Sequence, residues 1–445
     1  MAGISRARLA SKWLGLTALL TTVALPASAF AQSVAGDLSA DAQSNFARDR
    51  NISVRERPHP EYEAIGGRLG GFMLYPRIEG DVDYDTNIYA APDHTVGDTI
   101  FRVEPEVNLV STWSRHALQF AAGVTQDAYV NHSSENTTDW YVDAEGRLDF
   151  AGRTHLSGQL RHDRATELRS SDNNGIIGVG LPHPIQYDEN LANLQLTREF
   201  NRLKLTGRTE YSDFRYSNEG AVELDLRDRH VATGMVRADY ALSPATALFV
   251  EYTANDRHYR LHPIGVNQPD SSGYEVLGGA NFELGHLVRG EVGAGYLSQS
   301  YRAASYAAVS GFGFRGKVEW FPTQLTTVTA SASRSVEDSG IIIPFGADRT
   351  AGGYLYTQTQ VRVDHELLRN LILTGGAGYE RIEFRAITRT DDRWHANLGA
   401  TYLLNRRVGL NASYTYLHQT SSGDLTYVGQ RFSDNRLRAG VVLQF

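Results

Sequence analysis

The chain contains no cysteine. That absence excludes disulfide staples, thiolate metal sites and cysteine nucleophiles together. Beyond Ala31 it also lacks any apolar run long enough to cross a bilayer as a helix, which takes about 20 residues. Basic residues are outnumbered, 43 Lys and Arg against 51 Asp and Glu, for a formal charge of −8. An acidic chain is a poor partner for nucleic acid. Methionine is scarce, with three residues, while 42 glycines and 23 tyrosines are present, a balance that favours strands over helices. The mean hydropathy of −0.35 has the look of a soluble protein, but a membrane barrel gives a similar average because half of each strand is polar.

What is present begins with an export signal. Arg6, Arg8 and Lys12 form a positive head, Trp13 to Leu25 is apolar, and Ala29-Phe30-Ala31 fits a small-residue cleavage site. The reading is a signal peptide over residues 1–31. Residues 32–70 are polar and irregular, with Arg55, Arg57, Pro58 and Pro60 breaking any periodicity. They are expected to form a partly disordered periplasmic leader ahead of a barrel spanning 71–445.

From Gly71 the chain alternates with a period of two, which is the signature of strands. Ile78, Gly80, Val82 and Tyr84 share one face, with Arg77, Glu79, Asp81, Asp83 and Asp85 on the other. Phe101, Val103, Pro105, Val107 and Leu109 oppose Arg102, Glu104, Glu106 and Asn108. The last residues repeat the pattern, Leu437, Ala439, Val441, Leu443 and Phe445 against Arg436, Arg438, Gly440 and Gln444. A final strand ending on an aromatic residue is how bacterial outer-membrane barrels typically end, so Phe445 is read as the membrane-insertion signal that barrel-assembly machinery would bind. Counting such stretches gives about eighteen strands, the even number expected of a single-chain bacterial barrel. Tight turns such as Ser114-Arg115, Asn201-Arg202 and Arg369-Asn370 alternate with long connections near 164–186, 217–228, 258–273, 337–353 and 419–434. Trp113 and Trp320 sit at the short-turn ends of their strands, Trp140 and Trp394 at the long-loop ends, as two lipid interfaces require. The expected fold is a transmembrane, antiparallel, up-and-down β-barrel with short periplasmic turns and long extracellular loops.

Energetics decide which face meets lipid. A basic residue facing the bilayer midplane costs about 2–4 kcal/mol and an acid somewhat less. Exposing Arg77 and its four neighbouring carboxylates together would rival the whole stability of a domain, about 5–15 kcal/mol. The charged face must point inward, to a wet lumen.

The stretch Arg55-Glu56-Arg57-Pro58-His59-Pro60-Glu61-Tyr62, followed by Gly66-Gly67-Arg68-Leu69-Gly70-Gly71-Phe72 and Tyr84-Asp85-Thr86-Asn87-Ile88-Tyr89, resembles the entry segment of the putative β-barrel porin 2 family. Trp113-Ser114-Arg115-His116 and Phe200-Asn201-Arg202-Leu203 resemble that family's short turns, while Ala64 stands where a proline is expected. The resemblance covers residue 52 to the end. It implies an outer-membrane barrel of a kind often associated with exopolysaccharide production and export, and it carries over no catalytic residue.

Other motifs dissolve on inspection. Asp81-Val82-Asp83-Tyr84-Asp85 opens like a calcium loop, but Thr86 and Pro92 occupy the positions that need Gly and Glu. Gly311-Phe312-Gly313-Phe314-Arg315-Gly316 matches a dinucleotide fingerprint as a string, yet no helix follows it. The fourteen histidines are scattered and no serine lies in a nucleophile elbow. No catalytic residue, metal site or cofactor is expected.

The candidate functional residues are therefore those of the lumen: Arg77, Glu79, Asp81, Asp83, Arg102, Glu104, Glu106, Arg315, Lys317, Arg436 and Arg438. Cross-strand ion pairs that hold the barrel shut explain them, and a transverse field that orders water and polar solutes is compatible with the same residues. The loop residues Ile341, Ile342, Ile343 and Phe345 are too apolar to stand in water and are expected to fold inward as a constriction or against a neighbour. The functional expectation is a channel for polysaccharide or small hydrophilic solutes, foremost an exopolysaccharide conduit working with periplasmic export proteins. A diffusion porin and an outer-membrane hydrolase are the alternatives.

Overall fold

The computed structural model describes residues 52–171, 181–219, 222–285, 287–339, 351–423 and 431–445. A short strand, β1 (Gly67–Leu69), precedes β2 (Phe72–Asp85), β3 (Asp98–Ser111), β4 (Ala117–Tyr129), β5 (Thr137–Phe150), β6 (Thr154–Glu167) and β7 (Ile185–Phe200). There follow β8 (Leu203–Tyr216), β9 (Arg229–Ser243), β10 (Thr246–Tyr259), β11 (Ser271–Leu284), β12 (Val288–Tyr301) and β13 (Val309–Thr323). The wall ends with β14 (Thr326–Asp338), β15 (Gly353–Leu368), β16 (Leu371–Phe384), β17 (Arg389–Leu403), β18 (Val408–Gly423) and β19 (Phe432–Gln444). Each strand from β2 onward pairs antiparallel with its sequence neighbour, and β19 pairs with β2. The sheet closes as an 18-stranded barrel. No helix among the described residues is long and apolar enough to cross a membrane; the crossing is made by strands.

The alternation read from sequence becomes the two faces of this wall. In β2 the side chains of Glu79, Asp81, Asp83 and Asp85 are buried inward, while Ile78, Val82 and Tyr84 are exposed on the outside. A strand of 14 residues rises about 3.3 Å per residue. Tilted by about 35–45°, it spans about 33–38 Å of height, more than the roughly 25 Å apolar band of an outer-membrane barrel. Trp113, Phe150, Phe200, Tyr240 and Trp320 ring the short-turn end on the outside; Trp140, Tyr211, Tyr252, Tyr274, Tyr296 and Trp394 ring the long-loop end. These are the two aromatic girdles of a lipid interface.

One stretch of wall departs from the regular ladder. Pairing between β12 and β13 continues up to Gln299 and Val309, and pairing between β14 and β15 up to Asp338 and Gly353. The ladder between β13 and β14 stops lower, at Phe314 and Arg334. Above that point the β14–β15 hairpin leans over the lumen, where Asp338 meets Arg257 at 2.6 Å and Arg229 at 3.1 Å. Those arginines belong to β10 and β9, so the end of β14 bridges to strands four and five places away.

The charged lumen and its N-terminal strap

At the closing seam the register sets Arg438 opposite Asp83 and Arg436 opposite Asp85. Arg438 donates from Nε and Nη2 to the two oxygens of Asp83 at 2.8 and 2.7 Å, and Asp83 is completely buried. A bidentate guanidinium–carboxylate pair of this kind combines geometric selectivity with charge-assisted strength. One step nearer the long loops Arg436 pairs with Asp85, its Nε and Nη2 both donating to Oδ2. Asp81 is different, since neither carboxylate oxygen has a hydrogen-bond partner. It packs against Gly440, where a Cβ would lie 1.8 Å from its Oδ1 and 2.6 Å from Asn411 Oδ1. Any side chain there would have to displace Asp81 or Asn411.

The other sequence-nominated side chains also sit on the inward face and find partners. Arg77 binds Glu79 and lies 3.7 Å from Glu106. Arg102 grips Asp127 at 2.6 and 2.5 Å and lies 3.7 Å from Glu104. Lys317 lies 3.5 Å from Glu319, and Arg315 reaches Glu251 on β10 at 2.5 Å. Longer reaches tie non-adjacent strands. Arg237 on β9 binds Glu251 on β10 and Glu291 on β12, with its guanidinium over the Phe249 ring. Arg393 on β17 donates to the Ser170 carbonyl, in the loop after β6. At the long-loop end an apolar cluster of Leu181, Ile185, Tyr187, Phe214, Tyr216, Leu224 and Val231 fills the space beside β7–β9. The residues expected to form a constriction loop, Ile341, Ile342, Ile343 and Phe345, lie outside the described residues, as do the signal peptide and residues 32–51.

One feature of the described residues is not revealed by periodicity. Residues 52–66 form a strap at the short-turn mouth, a chord from the seam to β12–β15. At the seam Gly66 donates its N–H to the Phe445 carbonyl at 3.2 Å, Gln444 donates to the Tyr62 carbonyl at 3.0 Å, and Arg406 to the Pro60 carbonyl at 3.1 Å. The far end reaches the wall at β12–β15. Val54 donates its N–H to Thr327 Oγ1 at 3.0 Å and Arg55 its Nε to Asp364 at 2.9 Å; Arg57 binds Glu366, and Glu56 accepts from Arg289 at 2.5 Å. Val54 is completely buried. A single turn shapes this end: Ser53 Oγ accepts from the Glu56 N–H and Glu56 Oε2 accepts from the Ser53 N–H, the reciprocal pattern of a capping box. Ser53-Val54-Arg55-Glu56 carries that signature in the sequence, and it is the signal by which the strap could have been found.

Burial raises the Glu56 carboxyl, but the Arg289 guanidinium and the Ser53 hydrogen bonds outweigh it, so its pKa lies below the ordinary value. A depressed carboxylate contributes docking energy that is complete above the ordinary glutamate range and is lost as pH falls through the depressed value. Acidification below about pH 4 is therefore expected to raise single-channel current in planar bilayers. Glu56→Gln should shrink that acid step; a step of unchanged size would show that Glu56 does not hold the strap.

With the closed barrel, its inward charge and its strap in view, comparison with known families is direct. The family described as Putative beta-barrel porin 2 matches residues 59–445, most of the chain. The chain belongs to that family. Membership makes it a porin-type outer-membrane β-barrel with a channel fold, and the matched span of this porin includes the seam-side half of the strap. Among solved structures it is similar to OccAB3 of Acinetobacter baumannii, at 10% identity and a TM-score of 0.46, covering 85% of this chain and 100% of that one. It is similar to OccK2 (OpdF) of Pseudomonas aeruginosa, at 10% identity and 0.47, covering 85% and 99%. A BenF-like porin from Pseudomonas fluorescens Pf-5 stands at 11% identity and 0.46, covering 85% and 100%. No curated protein sequence matches this porin significantly.

Proposed function

We propose that the protein is a gated outer-membrane channel for hydrophilic solutes, with residues 52–66 as its periplasmic gate. The observation that carries this reading is the strap itself, pinned at the seam by Tyr62 and Gly66 and, four strands round the barrel from β19, at β15 by Arg55 and Arg57. Charged side chains lining a wet lumen favour hydrated cargo and disfavour apolar cargo. No covalent step is part of this reading; the lumenal side chains Arg77, Glu79, Asp81, Asp83, Arg102, Glu104, Glu106, Arg315, Lys317, Arg436 and Arg438 position water and solute.

Exopolysaccharide export with periplasmic partners is a second reading, favoured by the same strap, because a dedicated exporter should be closed at rest. Liposome swelling tests the first reading. Full-length protein should admit a monosaccharide slowly and a long oligosaccharide not at all; fast swelling in both would leave an ungated porin. Gene deletion tests the second: loss of surface polysaccharide is the expected result, and normal export would remove it.

A further inference from the structure

The scattered histidines do not stay scattered once the chain is folded. On the outer wall above the long-loop aromatic girdle, His258 near the end of β10 faces outward, six residues beyond Tyr252, which stacks on Tyr274. Directly across the ladder stands His230 on β9, its ring 5.1 Å from that of His258. The loop after β10 returns His262 to the same place, ring centroids 5.4 Å apart, and Asp270 follows just before β11. His262 Nε2 lies 2.9 Å and His258 Nδ1 3.3 Å from the same oxygen, Asp270 Oδ2. All three potential ligand atoms fall within 4.8 Å of one another.

We propose that His258, His262 and Asp270 form a binding site for a transition-metal dication of the zinc and copper class. Three observations carry it. The spacing is close to that of a tetrahedral zinc, whose ligands sit about 2.0–2.2 Å from the ion and so about 3.4 Å apart. The donor set is two imidazoles and one carboxylate, which suits zinc, copper or nickel and not magnesium or calcium. The carboxylate is also oriented from behind: Asp270 Oδ1 accepts the Tyr259 backbone N–H at 2.7 Å, leaving Oδ2 turned toward both rings. Such outer support is characteristic of metal-ligating carboxylates. The neighbouring cation does not claim the acid, since Arg302 lies 4.0 Å from Asp270 Oδ2 but is held at 2.8 and 2.9 Å by Asp256. The histidine side chains are 40% and 46% exposed, so an ion can enter from outside the cell and water can fill the fourth position. The spacing His258-Tyr259-Arg260-Leu261-His262 with Asp270 downstream is the sequence trace of the site. It differs from the expectation of no metal site because the three ligands converge only when the loop turns back.

The test uses the untagged full-length protein in detergent, stripped with chelator and titrated with zinc chloride by calorimetry. Saturable binding of one equivalent is expected. His262→Ala and Asp270→Asn should each weaken it by at least the roughly 10–100-fold that loss of an outer-shell partner costs, while His418→Ala, elsewhere on the outer wall, should leave it unchanged. With copper(II), electron paramagnetic resonance should show two coupled imidazole nitrogens, one of which disappears in His262→Ala. Compact gel mobility before heating verifies that each variant is folded. Absence of saturable zinc binding, binding indifferent to both His258→Ala and His262→Ala, or equal competition by magnesium would each overturn the assignment.

Discussion

Deleting residues 52–66 raises single-channel conductance severalfold and leaves the barrel folded. The two halves of this expectation rest on different parts of the molecule. Folding rests on the ladders from β2 to β19 and on the β19–β2 closure, and the strap contributes to none of them. Conductance depends on the narrowest wet section, and the strap lies as a chord across one mouth. Its anchors away from the seam are Val54, Arg55, Glu56 and Arg57, on β12–β15. A gentler variant keeps the strap and cuts only its moorings: Arg55→Ala with Arg57→Ala removes the pairs to Asp364 and Glu366. This variant should show flickering between two current levels, the lower one that of the unaltered protein. Planar-bilayer recording with purified protein distinguishes the cases. A deletion variant with unaltered conductance, and a double variant without flicker, would end the gate.

Replacing Arg438 by leucine should destabilise the barrel by about 3–5 kcal/mol, the usual cost of removing one partner of a buried ion pair. The reason is local. Asp83 is completely buried and takes both of its strong hydrogen bonds from Arg438, while Asp81, two residues away on the same face, has none. Without the guanidinium, Asp83 joins Asp81 as a second carboxylate with no hydrogen-bonded basic partner, at the one place where the sheet must close on itself. Chemical unfolding from lipid vesicles measures the loss. Adding Asp83→Leu to Arg438→Leu should recover part of it, since removing both partners spares the stranded charge. A double variant no more stable than the single one would mean that strand register, not the ion pair, holds the seam.

Much of the fold was legible because a two-faced wall forces a period of two on every strand. The β2 alternation of Glu79, Asp81 and Asp83 against Ile78, Gly80 and Val82 assigns lumen and lipid without further information. Same-face pairs were legible for the same reason: Arg77-Ile78-Glu79, Arg161-His162-Asp163, Arg208-Thr209-Glu210, Arg237-Ala238-Asp239 and Arg362-Val363-Asp364 place a base two residues from an acid, and each pair forms. Contacts across the lumen were not. Arg237 with Glu291 and Arg257 with Asp338 join strands that are not neighbours in the sheet, and depend on the curvature of the wall and the reach of each side chain, about which alternation carries no information. The strap escaped for a related reason. A polar, proline-broken stretch has no period, and only the Ser53–Glu56 capping pair marks it as structured. The three ligands of the outer site were hidden by distance along the chain between His262 and Asp270.

The early end of the β13–β14 ladder bears on where this cylinder yields. Elsewhere two neighbouring staves share main-chain bonds along nearly their full length, so prying them apart breaks many at once. Between Val309 and Gly313 the stave beside Ser335–Asp338 is already detached, and what replaces the missing bonds is the packing of Leu355 with Val309 and Leu297 together with the grip of Asp338 on two guanidiniums across the interior. Loosening that grip would free a leaf of wall at the level of the outer leaflet. Any sideways opening of the molecule toward surrounding lipid would begin at this slit.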